Sequence, residues 1–501
     1  MPVIAIPLAE CRDITLDPCA HEPLYQQLYH EIRIRILQKK LIAGQRLPAS
    51  RVLAQELKVS RNTVQLALVQ LQAEGYLETV AGSGVYVSAQ IPDDYQQVIS
   101  SRPKRKIQKN EFNNTTLSHY AQNSLRVTNP EPSSYKPFSP GLPDFAAFPR
   151  SLWLKLWHKH LRHNPIGSIA TSSPLGLLEL RQVLCDYLRY SRAVNCYPEQ
   201  IVITQGAAQA LDLVSRLFVN PGDTVMLEEP GYLGIRRLLL ALGAKLITCP
   251  VDQHGIKLAS LLQQIQQPTK LIYTTPTHQY PLGGVMPISH RLQLLAWAHK
   301  NNVYIIEDDY DSEFHYTAKP LPTLQSLDNN QQVLYVGSFS KVISPCLRLG
   351  YLVVPENLAG LLGKLKWITS GITEQVKQAV VSEFIKSGQF SRHLKRMRIA
   401  YAEKMQWIIT KAKQQLSQWF NIGAHGAGMH LVIRLKIKID DKKLLAQLKQ
   451  KNIACTALSS YYFSAPKQYG LVLGFSHMQK DEILQGISTI RETMIEILEL
   501  S

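Results

Sequence analysis

The sequence predicts an α/β protein with a largely parallel sheet, preceded by a small, mainly helical module. The first observation is length: 501 residues exceed the roughly 250–300 residues that one hydrophobic core supports, so two or three domains are expected. The second is an alternation, from Lys136 onward, of short β-branched apolar runs with longer helical patterns, which is typical of strands joined by crossover helices. The third is a helix-turn-helix pattern near the N-terminus.

The net charge of +17 favours a polyanionic partner, although an ordinary basic surface has the same charge. Residues 23–88 hold eight Lys and Arg against four Asp and Glu, whereas residues 136–501 hold 40 against 26. Most of the positive excess therefore lies outside the helix-turn-helix pattern.

The seven cysteines show no paired metal-ligand spacing, which predicts reduced thiols in a cytosol and no metal site. The N-terminus has no basic stretch leading into an apolar signal core, and the longest apolar run, around Leu238–Leu242, is far short of a membrane span. We therefore expect a cytoplasmic protein without a membrane partner.

The N-terminal pattern begins with an amphipathic helix from Pro23 to Leu37. Leu47-Pro-Ala-Ser-Arg51 opens a second helix, and Val59-Ser-Arg-Asn-Thr-Val64 opens a third. In a helix-turn-helix unit the start of this last helix points into the major groove. Its exposed beginning carries donor-rich side chains that can reach base edges or phosphates: Arg61, Asn62, Thr63 and Gln65.

Two short strands are predicted between Tyr76 and Val87, joined by the turn Ala81-Gly-Ser-Gly84, which suits a wing. The domain boundaries expected are a tail over residues 1–20, a DNA-binding domain over 21–88, a polar linker over 89–135 and a large domain over 136–501. Arg102-Pro-Lys-Arg-Lys106 in the linker could contact DNA phosphates or simply be solvated.

Five strands are predicted in the large domain, and polar clusters follow their carboxyl ends, where ligands bind in open parallel sheets. The predicted strands are Ile201–Thr204, Thr224–Leu227, Lys270–Thr274, Val303–Asp308 and Val333–Val336. The clusters after them are Gln205-Gly206, Glu228 to Tyr232, Pro276 to Gln279, Asp308 to Tyr310, and Ser338 to Lys341.

Two of these clusters contain groups suited to pyridoxal phosphate. Lys341 follows Gly337-Ser-Phe-Ser340, and a lysine with a lowered pKa can attack an aldehyde to form a Schiff base. Asp308 ends an apolar strand, where a protonated pyridine nitrogen would be a suitable partner. Tyr310 could hydrogen-bond the phenolic oxygen of the cofactor.

Other residues could hold the phosphate and ring. Arg348 offers planar donors, and Ser338 and Ser340 offer hydroxyls. The turn from Gly206 through Ala207 and Ala208 presents backbone amides at a helix start. Tyr232 could stack on the ring. Each residue alone has an ordinary structural interpretation, and only the joint occurrence points to a cofactor.

The segment "LPASRVLAQELKVSRNTVQLALVQLQAEGYLETVAGSGVYV" resembles the GntR family of winged helix-turn-helix regulators. The motifs "ITQGAAQALDL", "EEPGYLG", "TPTHQYPLGG", "IIEDDYDSEFHY" and "GSFSKVISPCLRLGYLV" resemble fold-type I aminotransferases, especially the MocR subgroup of GntR regulators. The resemblance implies a fold-type I pyridoxal-phosphate domain with a smaller C-terminal α+β subdomain.

The resemblance also implies roles for matching residues. Lys341 would carry the Schiff base, Asp308 would face the pyridine nitrogen, and His278 and Tyr310 would lie near the cofactor hydroxyl. In the DNA-binding domain, it implies DNA contacts by Arg51, Arg61 and Thr63, with Gly82, Ser83 and Gly84 at the wing tip. A homodimer is implied as well.

Three positions depart from the family patterns. Val80-Ala81 stands where family wings usually carry a basic residue. Val472 stands where catalytic aminotransferases have the arginine that binds the substrate carboxylate, and Thr171 stands where many relatives have a tyrosine. Because valine cannot bind a carboxylate, we expect sensing of the cofactor rather than amino-acid transamination.

The leading hypothesis is thus a transcription regulator that binds double-stranded DNA and senses pyridoxal phosphate or an amino compound reacting with it. It would control genes of vitamin B6 or amino-acid metabolism. One alternative is an active aminotransferase with an accessory DNA-binding module. The other is a plain repressor with a degenerate pocket, which the set Asp308, Lys341 and Arg348 argues against.

Overall fold

A computed structural model describes residues 14–18, 20, 22–91, 117–127, 135–163, 173–257, 268–316, 321–423, 426–464 and 467–499. The chain divides into two compact units, residues 1–112 and 113–501.

The N-terminal unit packs three helices around one small apolar core. The helices are α1 (Leu24–Leu37), α2 (Ser50–Glu56) and α3 (Arg61–Ala73), followed by the antiparallel strands β1 (Leu77–Val80) and β2 (Gly84–Val87). Leu28, Ile32 and Leu71 are buried in this core. The winged helix-turn-helix prediction is confirmed.

Local sequence explains where the third helix and the wing begin. The Ser60 hydroxyl accepts a hydrogen bond from the Thr63 backbone N–H at 3.0 Å, which satisfies one of the free amides at the start of α3. Gly82 has φ of +76° at the wing turn, a conformation that favours glycine.

The second unit contains an eight-stranded sheet that is mostly parallel, as predicted. Its strands are β3 (Ile201–Thr204), β4 (Thr224–Glu229), β5 (Lys245–Asp252), β6 (Gly255–Ile256), β7 (Thr269–Thr274), β8 (Tyr304–Asp309), β9 (Val333–Ser338) and β10 (Gly350–Val353), in the spatial order β3-β10-β9-β8-β7-β4-β5-β6. The five predicted strands lie within two residues of their predicted bounds. β10 is antiparallel to both neighbours and β6 is antiparallel to β5; neither strand was predicted.

Crossover and flanking helices cover this sheet, which is consistent with central strands that are buried over most of their length. The helices before the C-terminal subdomain are α4 (His119–Leu125), α5 (Arg150–His163), α6 (Leu178–Arg192), α7 (Ala207–Phe218), α8 (Leu233–Ala241), α9 (Ile288–Asn301), α10 (Leu324–Leu327), α11 (Glu356–Ser370) and α12 (Gln375–Lys386).

A smaller antiparallel sheet forms the C-terminal α+β subdomain, which confirms that prediction. It contains α13 (Gln389–Leu416), β11 (Phe420–Ile422), β12 (His430–Leu435), α14 (Asp441–Gln450), β13 (Thr456–Ala457), β14 (Gly470–Gly474) and α15 (Lys480–Glu499), with the strand order β11-β12-β14-β13. No helix among the described residues is long and apolar enough to cross a membrane.

Part of the stretch predicted as a polar linker is helical. Helix α4 has a Ser118 side-chain cap, and Asn123 Nδ2 donates to the Ala241 carbonyl oxygen at 3.4 Å. Arg216 also lies over the Tyr120 ring at 5.4 Å. Polar contacts rather than apolar periodicity thus attach this helix to the unit, which is why the sequence pattern did not indicate it. Arg102–Lys106 lies outside the described residues.

Candidate cofactor site and candidate nucleic-acid interface

A cavity of about 220 Å³ opens at the carboxyl ends of the central strands. Ten of the eleven residues predicted to hold the cofactor line it: Gly206, Ala207, Ala208, Tyr232, Asp308, Tyr310, Ser338, Ser340, Lys341 and Arg348. The structure therefore brings four of the five predicted polar clusters to one cavity, while the cluster Pro276–Gln279 lies behind its wall.

Asp308 provides the most unusual group of the cavity. Its Oδ2 accepts a hydrogen bond from the Tyr273 hydroxyl at 2.7 Å, whereas its buried Oδ1 has no hydrogen-bond partner among the described residues. Burial raises the pKa of this carboxyl to about 7, helped by Asp309 and Glu228 and opposed by Tyr273 and Lys341. A buried carboxylate oxygen without a partner is costly, and a cationic N–H in the cavity would satisfy it.

Lys341 follows β9 and points toward the segment that begins the large unit. Its Nζ donates a hydrogen bond to the Gly141 carbonyl oxygen at 2.9 Å. Burial lowers the pKa of the amine, opposed by the nearby Asp311 and Asp308. A lowered pKa increases the fraction of neutral amine, which is the form that attacks an aldehyde.

The opposite wall of the cavity is rich in donors. Gly206 has φ of +86° and precedes α7, so the free backbone amides of the first turn of this helix face the cavity. Arg348 lines the same wall in a left-handed conformation with φ of +47°. Ser338 and Ser340 add hydroxyls, and Ser338 Oγ accepts from the Ser340 backbone N–H at 3.1 Å. This set of amides, hydroxyls and a guanidinium suits a phosphate.

An aromatic group borders the cavity beside Asp308. The Tyr232 and Tyr273 rings are nearly parallel with centroids 6.5 Å apart, and the Tyr280 ring meets Tyr232 edge-on at 6.1 Å. Tyr232 remains 37% exposed. An exposed ring face next to a cavity can receive a planar ligand.

His278 stands behind the cavity rather than in its lining. Its Nδ1 lies 3.0 Å from the Asp311 carboxylate and 2.8 Å from the Tyr310 hydroxyl. The histidine that does line the cavity is His430, whose Nε2 lies 2.8 Å from the Pro281 carbonyl oxygen. Burial, with the neighbouring His278, lowers the pKa of His430 to about 4, so this ring is neutral at physiological pH.

The remaining lining residues were not predicted from the sequence: Pro140, Gly141, Tyr273, Tyr280, Asp311, Met429 and His430. Asp311 is three residues beyond Asp308 in the same motif, so spacing alone could have suggested it. Tyr280 directly follows the predicted cluster Pro276–Gln279, so its position could also have suggested it. The other five come from a segment before the sheet, from inside a strand or from the C-terminal subdomain. No pattern in the sequence links them to the cavity.

A buried ion pair supports the end of β8. Arg192 Nε donates to Asp309 Oδ2 at 2.9 Å, and Ser312 Oγ donates to the same oxygen at 2.8 Å. The Tyr335 hydroxyl donates to it as well. Asp309 is therefore fully engaged in structure and is absent from the cavity lining, whereas its neighbour Asp308 lines the cavity.

Val472 lies outside the cavity lining. It is buried in an apolar cluster that also contains Val432, Leu458 and Tyr461. The described cavity lining contains one lysine, Lys341, and one arginine, Arg348. A third cation for a substrate carboxylate is absent from this lining. Thr171 lies outside the described residues.

The start of helix α3 is the candidate nucleic-acid interface. Arg61, Asn62 and Gln65 are exposed there, and Arg51 is exposed at the start of α2. Thr63 is half-buried, and its hydroxyl lies 2.8 Å from the Ser60 hydroxyl within the helix cap. Three side chains of α3 are thus available to DNA, while Thr63 also stabilises the helix start.

The wing has a cation that the sequence pattern did not reveal. A Cβ added at Gly84 would lie 2.9 Å from Arg46 Nε, so the exposed Arg46 side chain runs along the wing. Gly82 is exposed at the tip, and Ser83 Oγ lies 2.6 Å from the Tyr86 hydroxyl. Arg46 supplies a positive charge near Val80 and Ala81, where family wings usually carry their own basic residue.

Two protein families match different parts of the chain. The family of bacterial regulatory proteins named gntR matches residues 24–87, and aminotransferase class I and II matches residues 152–487. MocR of Rhizobium meliloti, a probable rhizopine catabolism regulatory protein, is 34% identical over 97% of this chain and 96% of its own length. The pyridoxine biosynthesis transcriptional regulator PdxR of Corynebacterium glutamicum is 32% identical, with 96% and 98% of the two chains covered.

Solved aminotransferases resemble the second unit. Kynurenine aminotransferase of Pyrococcus horikoshii, in complex with PMP, is 25% identical with a TM-score of 0.70, over 77% of this chain and 98% of its own. LysN, an α-aminoadipate aminotransferase of Thermus thermophilus complexed with a phosphopyridoxyl-leucine compound, is 26% identical with a TM-score of 0.68, over 73% and 93%.

The Gly141→Ala variant tests whether the cavity needs the close approach of Lys341. Gly141 has φ of +76°, and an added Cβ would overlap Lys341 Nζ. Because the added methyl group would take up space in the cavity lining that Lys341 Nζ now occupies, we expect a loss of affinity for pyridoxal phosphate of about tenfold, or about 1.4 kcal/mol, measured by absorbance titration. Gly388→Ala is the matched control, because Gly388 also has a positive φ, of +71°, and a Cβ there meets nothing within 4 Å. Equal affinity in the two variants would contradict the expectation.

The Asp308→Asn variant tests the cost of the unpaired carboxylate in cofactor-free protein. The pKa of about 7 lies above the ordinary 3.8, so the folded state holds a proton that the unfolded chain has lost, and this contribution disappears as pH rises through 7. The stability advantage of Asp308→Asn should therefore grow between pH 5 and pH 8, to at most about 4 kcal/mol.

Thermal unfolding at both pH values checks this result, with the exposed Asp186→Asn as control. A variant that is no more stable than the wild type at pH 8 would show that Oδ1 is satisfied in solution.

Proposed function

The chain belongs to the MocR subgroup of GntR transcription regulators, with an aminotransferase class I and II domain, and from this premise we propose that it regulates transcription in response to pyridoxal phosphate. The regulator binds DNA through its N-terminal unit and pyridoxal phosphate through its second unit.

The observation that carries the proposal is the unpaired Asp308 Oδ1 in a cavity that Lys341 also lines. Pyridoxal phosphate, when bound, supplies an aldehyde that amines capture and a ring that withdraws electrons once its nitrogen is protonated. We assign the ring nitrogen to Asp308, the aldehyde to Lys341 and the phenolic oxygen to Tyr310. The phosphate is assigned to Arg348, Ser338, Ser340 and the amides of Gly206, Ala207 and Ala208.

The same lining supports sensing of the cofactor over turnover of an amino acid. Once Arg348 holds the phosphate and Lys341 the aldehyde, the described lining has no further lysine or arginine for a substrate carboxylate. His430 is neutral because its pKa is about 4. An amino acid would thus bury its carboxylate without a charge partner, which is unfavourable.

A response requires two conformations that differ in affinity for the ligand, since a ligand bound equally by both shifts nothing. We propose a homodimer as the framework for these conformations. Large apolar side chains on α11 are exposed, with Trp367 at 55% and Ile368 at 77%, and are suited to burial against a second copy. A dimer also suits paired DNA half-sites.

The Lys341→Ala variant tests the sensing role. Wild-type protein should develop a visible absorption band with pyridoxal phosphate and change its affinity for DNA from upstream of its own gene. In Lys341→Ala both responses should be lost, while cofactor-free DNA binding persists. Absorbance and fluorescence anisotropy measure the two responses, with the exposed Lys300→Ala as control. Wild-type DNA affinity that ignores the cofactor would refute sensing.

Two arginine variants separate base recognition from phosphate contact. Arg61→Ala should weaken binding to the operator by about 1–3 kcal/mol more than binding to an unrelated duplex. Arg46→Ala, on the wing, should weaken both duplexes alike and lower the slope of log affinity against log salt by about one. Anisotropy titrations over a salt series measure both effects. An Arg46→Ala protein with wild-type slope would exclude the wing cation from the interface.

A further inference from the structure

The C-terminal subdomain has an open groove with a volume of about 830 Å³, and its lining is rich in basic side chains. Five cationic side chains line it, and we refer to it as the basic groove: Arg434, Lys436, Lys438, Lys442 and Lys467. It lies between the end of β12 and the beginning of α14. None of its residues belongs to the lining of the cofactor cavity.

The basic groove has a net positive charge, because its lining holds five cationic side chains and one carboxylate, that of Asp440. Within the described parts of the chain, none of the five forms an ion pair with a carboxylate. Asp440, the acidic residue in the lining, uses Oδ1 to cap α14 by accepting from the Lys442 backbone N–H at 2.9 Å. Asp441 is fully buried and accepts from the Ser459 and Gly470 backbone amides.

Ordered backbone holds these cations in place. Arg434 pairs with Asn421 and Gly470 in the four-stranded sheet, and its Nε donates to Gln468 Oε1 at 3.0 Å. Lys436 Nζ donates to the Ser417 carbonyl oxygen at 2.6 Å. Neither contact removes positive charge, so at least these two side chains are held in place as cations of the groove. A cationic surface of this kind attracts an extended polyanion.

Duplex DNA is the polyanion that this chain already binds. The DNA-binding range 23–88 has an excess of only four cationic residues, whereas residues 434–469 hold eight Lys and Arg against two Asp and Glu. We propose that the basic groove binds the phosphate backbone of DNA that flanks the operator. This inference rests on the proposed function only in taking DNA as the ligand, and is independent of the cofactor.

Charge reversal in the groove tests the proposal on the full-length protein. Lys436, Lys438 and Lys467 are changed together to glutamate, and the exposed Lys245, Lys270 and Lys300 are reversed in a matched control. Binding is measured over a salt series with two duplexes from upstream of the gene, one cut to the footprinted operator and one that includes its flanks. Absorbance titration with pyridoxal phosphate verifies that both variants remain folded.

For the groove variant on the long duplex, we expect the slope of log affinity against log salt concentration to become shallower by about two to three. This corresponds to roughly 0.9 for each lost phosphate contact. The affinity of the groove variant for the short duplex should match that of the control variant. If the two variants have equal salt slopes on the long duplex, the groove proposal is overturned, but the proposed regulatory function is unaffected. Wild-type protein that binds neither duplex would overturn the regulatory function itself.

Discussion

A carboxylate that is buried with only one of its oxygens satisfied is the constraint on which the second unit depends. Asp308 ends β8, accepts one hydrogen bond from Tyr273 and leaves Oδ1 without a partner among the described residues. Folding tolerates this because the carboxyl can hold a proton near neutral pH. The same oxygen is then available to a cationic ring nitrogen, so a cost to the empty protein becomes affinity for its ligand.

Much of this arrangement can be predicted from the sequence, because the ends of buried strands are recognisable as the ends of apolar runs. Asp308, Lys341 and Gly206 each follow an apolar run, and parallel strands bring such positions to one edge. Gly141, Tyr273 and His430 could not be found in this way. Gly141 precedes the sheet, Tyr273 lies within a strand whose burial pattern is ordinary, and His430 comes from a separate sheet. Only tertiary packing places them at the cavity.

The N-terminal unit shows the same limit on a smaller scale. The pattern of apolar residues predicts its helices and wing, because three helices of that length need one shared core. Arg46 escaped prediction since it precedes α2 and reaches the wing through an isolated bridge with Tyr86. A family comparison by position looks for the wing cation at Val80 and Ala81, whereas the fold supplies it from another segment.

The hydrogen bond from Lys341 to Gly141 bears on the concentration at which a sensor responds. Lys341 Nζ donates to this carbonyl oxygen in the empty protein, and the same amine would have to react with the cofactor aldehyde. The hydrogen bond and the cofactor therefore compete for Lys341. A competing contact in the empty state lowers the apparent affinity in proportion to the fraction of protein that remains free of that contact. In an enzyme, such a loss of affinity would only raise the cofactor concentration that is needed to saturate the site. In a regulator it raises the ligand concentration at which the response begins, so the contact between Lys341 and Gly141 helps to set that threshold.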